Sequence, residues 1–212
     1  MKKFKALLVA ACALLLVAAS VFGTMAYLTS TDTVTNTFTV GKVNIKLDEA
    51  KANPDGSLVA NAARVKANSY KLLPGHTYTK DPTVTVLNGS ESSYVKMTVT
   101  FSKANELDAI FAPDGADLTS IFNGYDAANW TAKGNTKDVT ANTRTYEFWY
   151  KEAVGAPTAD VTLDALFDSI TVPGTITGEQ LATIADMTIT VNAYAIQADG
   201  FANAEAAWEA IK

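Results

Sequence analysis

Short segments in which apolar and polar residues alternate, separated by turns, constrain the fold of this 212-residue chain most strongly. In residues 94–101 every second side chain is large and apolar. Residues 43–47, 83–87 and 187–195 alternate in the same way, and residues 146–150 are mostly aromatic. A period of two predicts half-buried strands. Turn-forming sequences interrupt these segments at residues 53–56 (NPDG), 74–75 (PG) and 88–89 (NG).

Helical spacing of apolar residues is confined to short stretches. Residues 105–111 and the alanine-rich residues 201–211 are predicted helices. Residues 160–170 are a third, because Leu163, Leu166, Phe167 and Ile170 recur at helical intervals. Many short strands with few helices predict an all-β fold, a jelly-roll-like sandwich with short helical insertions, which we assign to residues 41–212.

The first 26 residues have the pattern of an export signal. Three lysines among the first five residues precede the mostly apolar residues 6–22, and Ala26 supplies a small residue for cleavage before Tyr27. The pattern predicts an N-terminal signal helix and, after cleavage, a secreted chain without a stable membrane anchor. An uncleaved anchor is the alternative, because the 17 residues of the apolar segment approach the length of a membrane span.

Cys12 follows Val9-Ala10-Ala11, which matches the small residues that precede a lipid-modified cysteine. Only a short apolar run precedes it and a long one follows, so an unmodified signal segment is favoured. The mature chain then has no cysteine and can form no disulfide. Its 186 residues, 212 less the first 26, are stabilised by core burial instead.

A ladder of six threonines follows the signal segment on every second residue from Thr29 to Thr39. Successive strand side chains point to opposite faces, so one face of this arm is threonine and the other carries Leu28, Val34, Phe38 and Val40. In residues 43–47 the apolar side chains occupy odd positions instead of even ones. Gly41 stands at this change and is predicted to be a bulge or hinge. Residues 27–40 are therefore a separate N-terminal arm.

Charge and missing motifs exclude several functions. Loss of three lysines leaves 14 of the 17 basic residues against 22 acidic ones, a net charge of −8, which disfavours nucleic acid and anionic membranes as partners. The single histidine, His76, follows a turn and cannot supply a two-histidine zinc site. No serine-hydrolase elbow, Walker sequence or dinucleotide fingerprint is present. We predict no enzymatic activity, no metal and no cofactor.

Two weaker features leave alternatives open. Acidic residues in a loop-rich region could bind external calcium, although EF-hand spacing is missing and an acidic exported surface explains them equally; they are Asp114, Asp117, Asp126 and Asp138. Three tryptophans could stack on sugars, although packing in the core or an interface is favoured; they are Trp130, Trp149 and Trp208.

Two N-terminal segments, residues 23–29 (GTMAYLT) and 36–47 (NTFTVGKVNIKL), resemble the TasA/camelysin family of exported proteins of Gram-positive bacteria. Further similar pieces are Leu73-Pro74-Gly75, Lys80, residues 84–86 (VTV), Asn88-Gly89, Tyr94-Val95, residues 189–191 (ITV) and residues 195–198 (AIQA). Residues 102–182 match little of the family. The resemblance implies cleavage by a dedicated ER-type signal peptidase and a jelly-roll-like fold.

The resemblance also implies extracellular fibres of the biofilm matrix, in which the N-terminal strand of one subunit inserts into a groove of the next. The donor here would be residues 27–40, anchored by Leu28, Val34, Phe38 and Val40. The partners would be further copies of the chain, head to tail, and other matrix proteins. Camelysin-like members are also called metalloproteases, but this sequence has no ligand set for that activity.

Three functions from different classes follow. The first is a secreted, fibre-forming structural subunit at the cell surface or in the matrix. The second is a monomeric surface binding module or adhesin that uses the middle region, and the third is a camelysin-like secreted hydrolase.

Overall fold

The computed structural model describes residues 41–111 and 122–211, together with Lys5. The chain divides into two compact units, Met1–Thr39 and Val40–Lys212, and every described residue except Lys5 belongs to the second. The predicted signal helix, the cleavage site at Ala26 and Tyr27, and the arm of residues 27–40 lie outside the described residues, as does Cys12.

The described part of the second unit is mostly β-sheet with a few short helices, which confirms the all-β class. Its strands are β1 (Ile45–Asp48), β2 (Thr77–Thr79), β3 (Thr83–Val86), β4 (Ser93–Ser102), β5 (Phe122–Asn123), β6 (Trp130–Asp138), β7 (Thr143–Tyr150), β8 (Val161–Thr162), β9 (Ser169–Thr171) and β10 (Ile189–Gln197). Its helices are α1 (Ala104–Phe111), α2 (Gly178–Thr183) and α3 (Ala204–Glu209).

These strands form three antiparallel sheets around one core. Their orders are β1-β3-β8, β10-β4-β7-β6 and β2-β9-β5. A single cluster of buried apolar side chains takes residues from each sheet, for example Val84, Met97 and Ile170. The sheets therefore share one hydrophobic core, on which the stability of the unit depends.

Strand β4 shows how the sequence pattern produces this core. Val95, Met97, Val99 and Phe101 are fully buried, while the residues between them are only partly so. A strand places alternate side chains on opposite faces, so the sequence alternation becomes one core face and one outer face. Full burial of such side chains stabilises the fold by about 1.5–3 kcal/mol each.

The predicted helix at residues 160–170 is wrong. Leu163, Leu166 and Phe167 are buried, but they lie in an irregular segment between β8 and β9. The backbone N–H of Leu163 donates to the Val84 carbonyl at 2.9 Å, and that of Leu166 donates to the Pro82 carbonyl at 3.1 Å. Hydrogen bonds to a neighbouring segment replace those within a helix, so apolar spacing here reports burial and not helical structure.

The other helix predictions hold, and one helix was missed. Helices α1 and α3 lie within residues 104–111 and 204–209, close to their predicted places. Helix α2 was not predicted, although its signal is present. The Thr177 hydroxyl accepts from the Gln180 N–H, and the Gln180 side chain accepts from the Thr177 N–H, which is a capping box.

Candidate functional site

Strand β10 forms one edge of the four-stranded sheet. It pairs with β4 from Ile189 opposite Phe101 to Gln197 opposite Ser93, and no other described strand pairs with it. An edge strand presents unpaired backbone N–H and C=O groups that can bind a further strand. The nine residues of β10 make this edge roughly 30 Å long at about 3.3 Å per residue.

A groove lies beside the first part of this edge and consists of two neighbouring hollows. One, of about 340 Å³, is lined by Leu47, Asp48, Glu49, Lys66, Ala67, Asn68, Lys80, Pro82, Ile189, Thr190 and Val191. The other, of about 470 Å³, is lined by Asn68, Ser69, Tyr70, Leu72, Lys80, Asp186, Met187, Thr188 and Ile189. The two share Asn68, Lys80 and Ile189, and together they are called the β10 groove below.

An apolar hollow of about 50 Å³ adjoins the β10 groove. Tyr70, Leu72, Met187 and Ile189 line both, and the hollow continues inward to core residues such as Leu107. Nearly all of its lining is aliphatic or aromatic, so it suits an apolar side chain that enters from the groove.

The floor of the groove is polar and buried. Lys80 Nζ lies 2.6 Å from Glu49 Oε2, and the two residues are 7% and 6% exposed. The other oxygen of this carboxylate, Glu49 Oε1, accepts from Asn68 Nδ2 at 3.0 Å. A buried ion pair needs such additional hydrogen bonds to offset the loss of water.

Arg64 connects the loop after β1 to Asp48 and to residues 81–83. Its guanidinium donates to Asp48 Oδ1 at 2.5 Å, to Asp81 Oδ2 at 2.8 Å and to Thr83 Oγ1 at 2.8 Å. Lys66, two residues after Arg64, lines the groove and donates to the Leu47 carbonyl. Arginine suits this role because its planar fork reaches several acceptors at once.

These contacts alter the titration of Asp48. Burial opposes ionisation of its carboxyl, but hydrogen bonds from Lys46 and Arg64 outweigh burial and lower the pKa of Asp48 below its usual value. For Arg64, burial likewise disfavours the charge, yet hydrogen bonds to Asp81 and Asp48 raise the pKa of its guanidinium. Both groups are therefore charged at neutral pH.

Two tyrosines line the apolar hollow, and one of them, Tyr70, also lines the groove. The rings of Tyr70 and Tyr78 meet edge to face with centroids 5.4 Å apart. Tyr78 Oη donates to the Lys71 carbonyl at 2.8 Å and accepts from the Leu73 N–H at 2.6 Å. Burial, with a smaller effect of the Glu49 carboxylate, raises the pKa of Tyr70, so its phenol stays neutral and bonded to the Thr79 carbonyl.

The residues that lead into β1 lie near the C-terminal end of β10, away from the groove. The Lys42 carbonyl accepts from the Glu91 N–H at 2.9 Å, and the next residue, Ser92, accepts from the Ala198 N–H at 2.7 Å. Gly41 precedes these contacts, and its φ does not lie in the left-handed region. A Cβ there would lie 2.9 Å from Cγ of Glu91, a flexible and exposed side chain. The bulge predicted at Gly41 depends also on the preceding arm and stays a prediction.

The predicted donor anchors cannot be placed in this site, because Leu28, Val34, Phe38 and Val40 lie outside the described residues. The tryptophans can be placed: Trp130, Trp149 and Trp208 are only 1%, 7% and 1% exposed. They pack in the fold, as the favoured interpretation holds, and offer no open face on which a sugar could stack.

The candidate metal residues do not converge in the described part of the chain. Asp126 accepts from Ala128 and Asn129 N–H groups and Asp138 from those of Thr140 and Ala141, so both carboxylates close their own loops. Asp114 and Asp117 lie outside the described residues. Within residues 41–111 and 122–211, no three histidine, cysteine or acidic side chains form a group that could hold a metal ion.

Sequence reasoning missed the groove and its floor. Glu49, Asn68 and Lys80 are separated by 19 and 12 positions, and no motif marks them as neighbours. The edge position of β10 also depends on strand order, which alternation does not reveal.

No protein-family model matches this sequence, and no curated protein or solved structure shows significant similarity to it. Among the described helices, none is long and apolar enough to cross a membrane.

Proposed function

We propose that the protein is a secreted structural subunit that assembles into extracellular fibres by donor-strand insertion. Residues 27–40 of one copy, released by cleavage after Ala26, would insert beside β10 of the next. The observation that carries this proposal is the unpaired edge of β10 together with the groove beside it. In this proposal the three sheets belong to a jelly-roll-like sandwich whose open edge the arm completes.

The arm is long enough to cover the whole free edge of β10. The arm has 14 residues, and β10 offers nine residues of free edge. A strand added to an edge gains main-chain hydrogen bonds, and its alternate side chains enter pockets. The apolar hollow lined by Leu72 and Met187 suits a large side chain such as Phe38. Val34, Phe38 and Val40 fit within nine residues, and burial of these three side chains would contribute roughly 4.5–9 kcal/mol before ordering costs.

The course of the chain favours insertion between copies. Lys42 is tied to Glu91 at the Ala198 end of β10, whereas Met187 and the apolar hollow lie at the other end. An arm that fills the groove of its own subunit would have to reverse direction at Gly41. An arm from a second copy needs no reversal. Donation to another copy joins two different surfaces and therefore extends into a filament.

Electron microscopy of the purified mature protein tests this proposal, with N-terminal sequencing of the same sample. We expect filaments and an N-terminus at Tyr27. Deletion of residues 27–37 should abolish filaments and leave a folded domain by circular dichroism. Filaments that persist after this deletion would contradict the proposal, and so would unfolding of the domain, because the arm would then be an intrinsic strand.

Single substitutions with matched controls test each half of the contact. Phe38→Asp should abolish assembly, while Thr39→Asp, on the other face of the arm, should permit it. In the acceptor, Leu72→Asp should block assembly. Leu58→Asp is its control, because Leu58 is 59% exposed and lies outside the groove. Assembly is measured by sedimentation, and equal effects of each pair would contradict the assigned surfaces.

A further inference from the structure

One carboxylate at the floor of the β10 groove holds an amine and a carboxamide at the same time. Glu49 Oε2 lies 2.6 Å from Lys80 Nζ, and Glu49 Oε1 lies 3.0 Å from Asn68 Nδ2. Lys80 and Glu49 are more than nine-tenths buried. All three side chains line the same hollow of about 340 Å³. The ammonium and the carboxamide are thus held on the two oxygens of one carboxylate.

We propose that Lys80 and Asn68 join in an intramolecular isopeptide bond, formed with Glu49 as the proton carrier. The inference is independent of fibre assembly, since all three residues belong to one described domain. It assigns this groove a modification site that links residue 68 in the loop after β1 to residue 80 between β2 and β3.

The first step transfers a proton from the Lys80 ammonium to Glu49 along their 2.6 Å contact. The products are a neutral amine and a carboxylic acid, which lose less solvation energy on burial than two full charges do. The amine lone pair then attacks Cγ of Asn68 and forms the Nζ–Cγ bond. This is nucleophilic attack by a lysine held beside its own base.

The second step breaks the Cγ–Nδ2 bond. Glu49 gives its proton to Asn68 Nδ2 and takes one from Lys80 Nζ, because each oxygen already contacts one of these nitrogens. Ammonia leaves, the Cγ carbonyl re-forms, Nζ keeps one hydrogen and Glu49 ends protonated. Amine plus carboxamide thus give a secondary amide plus ammonia, and no oxidant or other reactant is needed.

The surroundings of Asn68 suit this chemistry. Its Oδ1 accepts from the Ala52 N–H at 2.9 Å, so a donor is already in place where negative charge develops in the tetrahedral intermediate. Its Nδ2 also donates to the Ala50 carbonyl at 2.8 Å, which fixes the orientation of the amide. The adjoining hollow gives the released ammonia a route to solvent.

Intact mass spectrometry of the folded wild-type protein tests the proposal. We expect a mass that is lower by one ammonia than the mass calculated from the sequence of the purified chain. Tryptic digestion should give residues 67–71 joined to a peptide uncut at Lys80, since an acylated lysine is not cleaved. The full sequence mass for folded protein would overturn the proposal. So would a loss of ammonia without this linked peptide, because succinimide formation at Asn88-Gly89 has the same mass.

Three variants separate the reaction from structural effects. Asn68→Asp should lose water in place of ammonia, because the leaving group becomes hydroxyl. Lys80→Arg should show the full mass, and Glu49→Gln should too, provided that circular dichroism shows both to be folded. A linked peptide in folded Glu49→Gln would remove Glu49 from the chemistry and overturn its assigned role. If neither variant folds, the linked wild-type peptide still decides the question by its presence or absence.

Discussion

Replacement of Arg64 should destabilise the domain in a pH-dependent way. In Arg64→Met the similar-sized side chain keeps part of the packing but removes every hydrogen bond of the guanidinium. Asp48, 5% exposed, would keep only Lys46 at 2.6 Å. Asp81 would lose the guanidinium at 2.8 Å and keep the hydrogen bond from the Ala50 N–H. Removal of one partner of a buried ion pair costs about 3–5 kcal/mol.

The expected cost is smaller here, because the Arg64 side chain is 36% exposed and Lys46 compensates for part of the charge. Water can replace some of the lost hydrogen bonds, so we expect the free energy of unfolding to fall by about 2 kcal/mol at pH 7. Arg64→Lys should lie between wild type and Arg64→Met, since an ammonium keeps the charge but not the fork.

The sign of the pH dependence follows from Asp48. Its pKa is lowered in the folded state, so its contribution to stability is present above the unfolded pKa and is lost as pH falls through the folded value. The stability difference between wild type and Arg64→Met should therefore shrink below about pH 4, the ordinary pKa of aspartate.

Urea denaturation at several pH values between neutral and acid measures this difference. Lys51→Met is a suitable control, because Lys51 is exposed and lies outside the Arg64 contacts. A difference that stays constant with pH, or one no larger than that of the control, would refute the assignment of the Arg64–Asp48 pair as the stabilising contact.

Two further predictions concern the core. Phe101→Ala should lower the free energy of unfolding by about 3–5 kcal/mol, because Phe101 is fully buried. Tyr194→Ala, on the neighbouring strand but 45% exposed, should change it by about 0.5 kcal/mol or less. Leu166→Ala should lower the free energy of unfolding by about 2–5 kcal/mol. The segment is irregular, but the Leu166 side chain is fully buried. Val161→Ala, 39% exposed, is its control, and equal urea midpoints for the two would contradict this account.

Two long strands, β4 and β10, were predictable because a single physical cause sets their pattern, whereas β6, whose side chains are mostly exposed, was not predicted. Residues 94–101 alternate because one face of β4 meets the core, and the structure places the strand at Ser93–Ser102. Residues 187–195 were predicted in the same way, and β10 occupies Ile189–Gln197. Alternation is a local property of strands and needs no knowledge of their partners.

Residues 160–170 show where local pattern fails. Apolar residues three and four positions apart suggest a helix, but the same spacing arises when an irregular segment turns its larger side chains inward. The hydrogen bonds of Leu163 and Leu166 to Val84 and Pro82 decide between the two, and these acceptors are 79 and 84 positions away. Tertiary hydrogen bonding therefore overrode a local preference.

The sequence by itself determined the all-β class of the described domain, its principal turns and the core-facing sides of β4 and β10. These properties depend on side chains within a few positions of one another. Tertiary structure alone decided that β10 is an edge strand and that Glu49, Asn68 and Lys80 line one hollow beside it. Strand order and a buried polar cluster depend on contacts between segments that are far apart in the sequence. No single segment contains the information that fixes them.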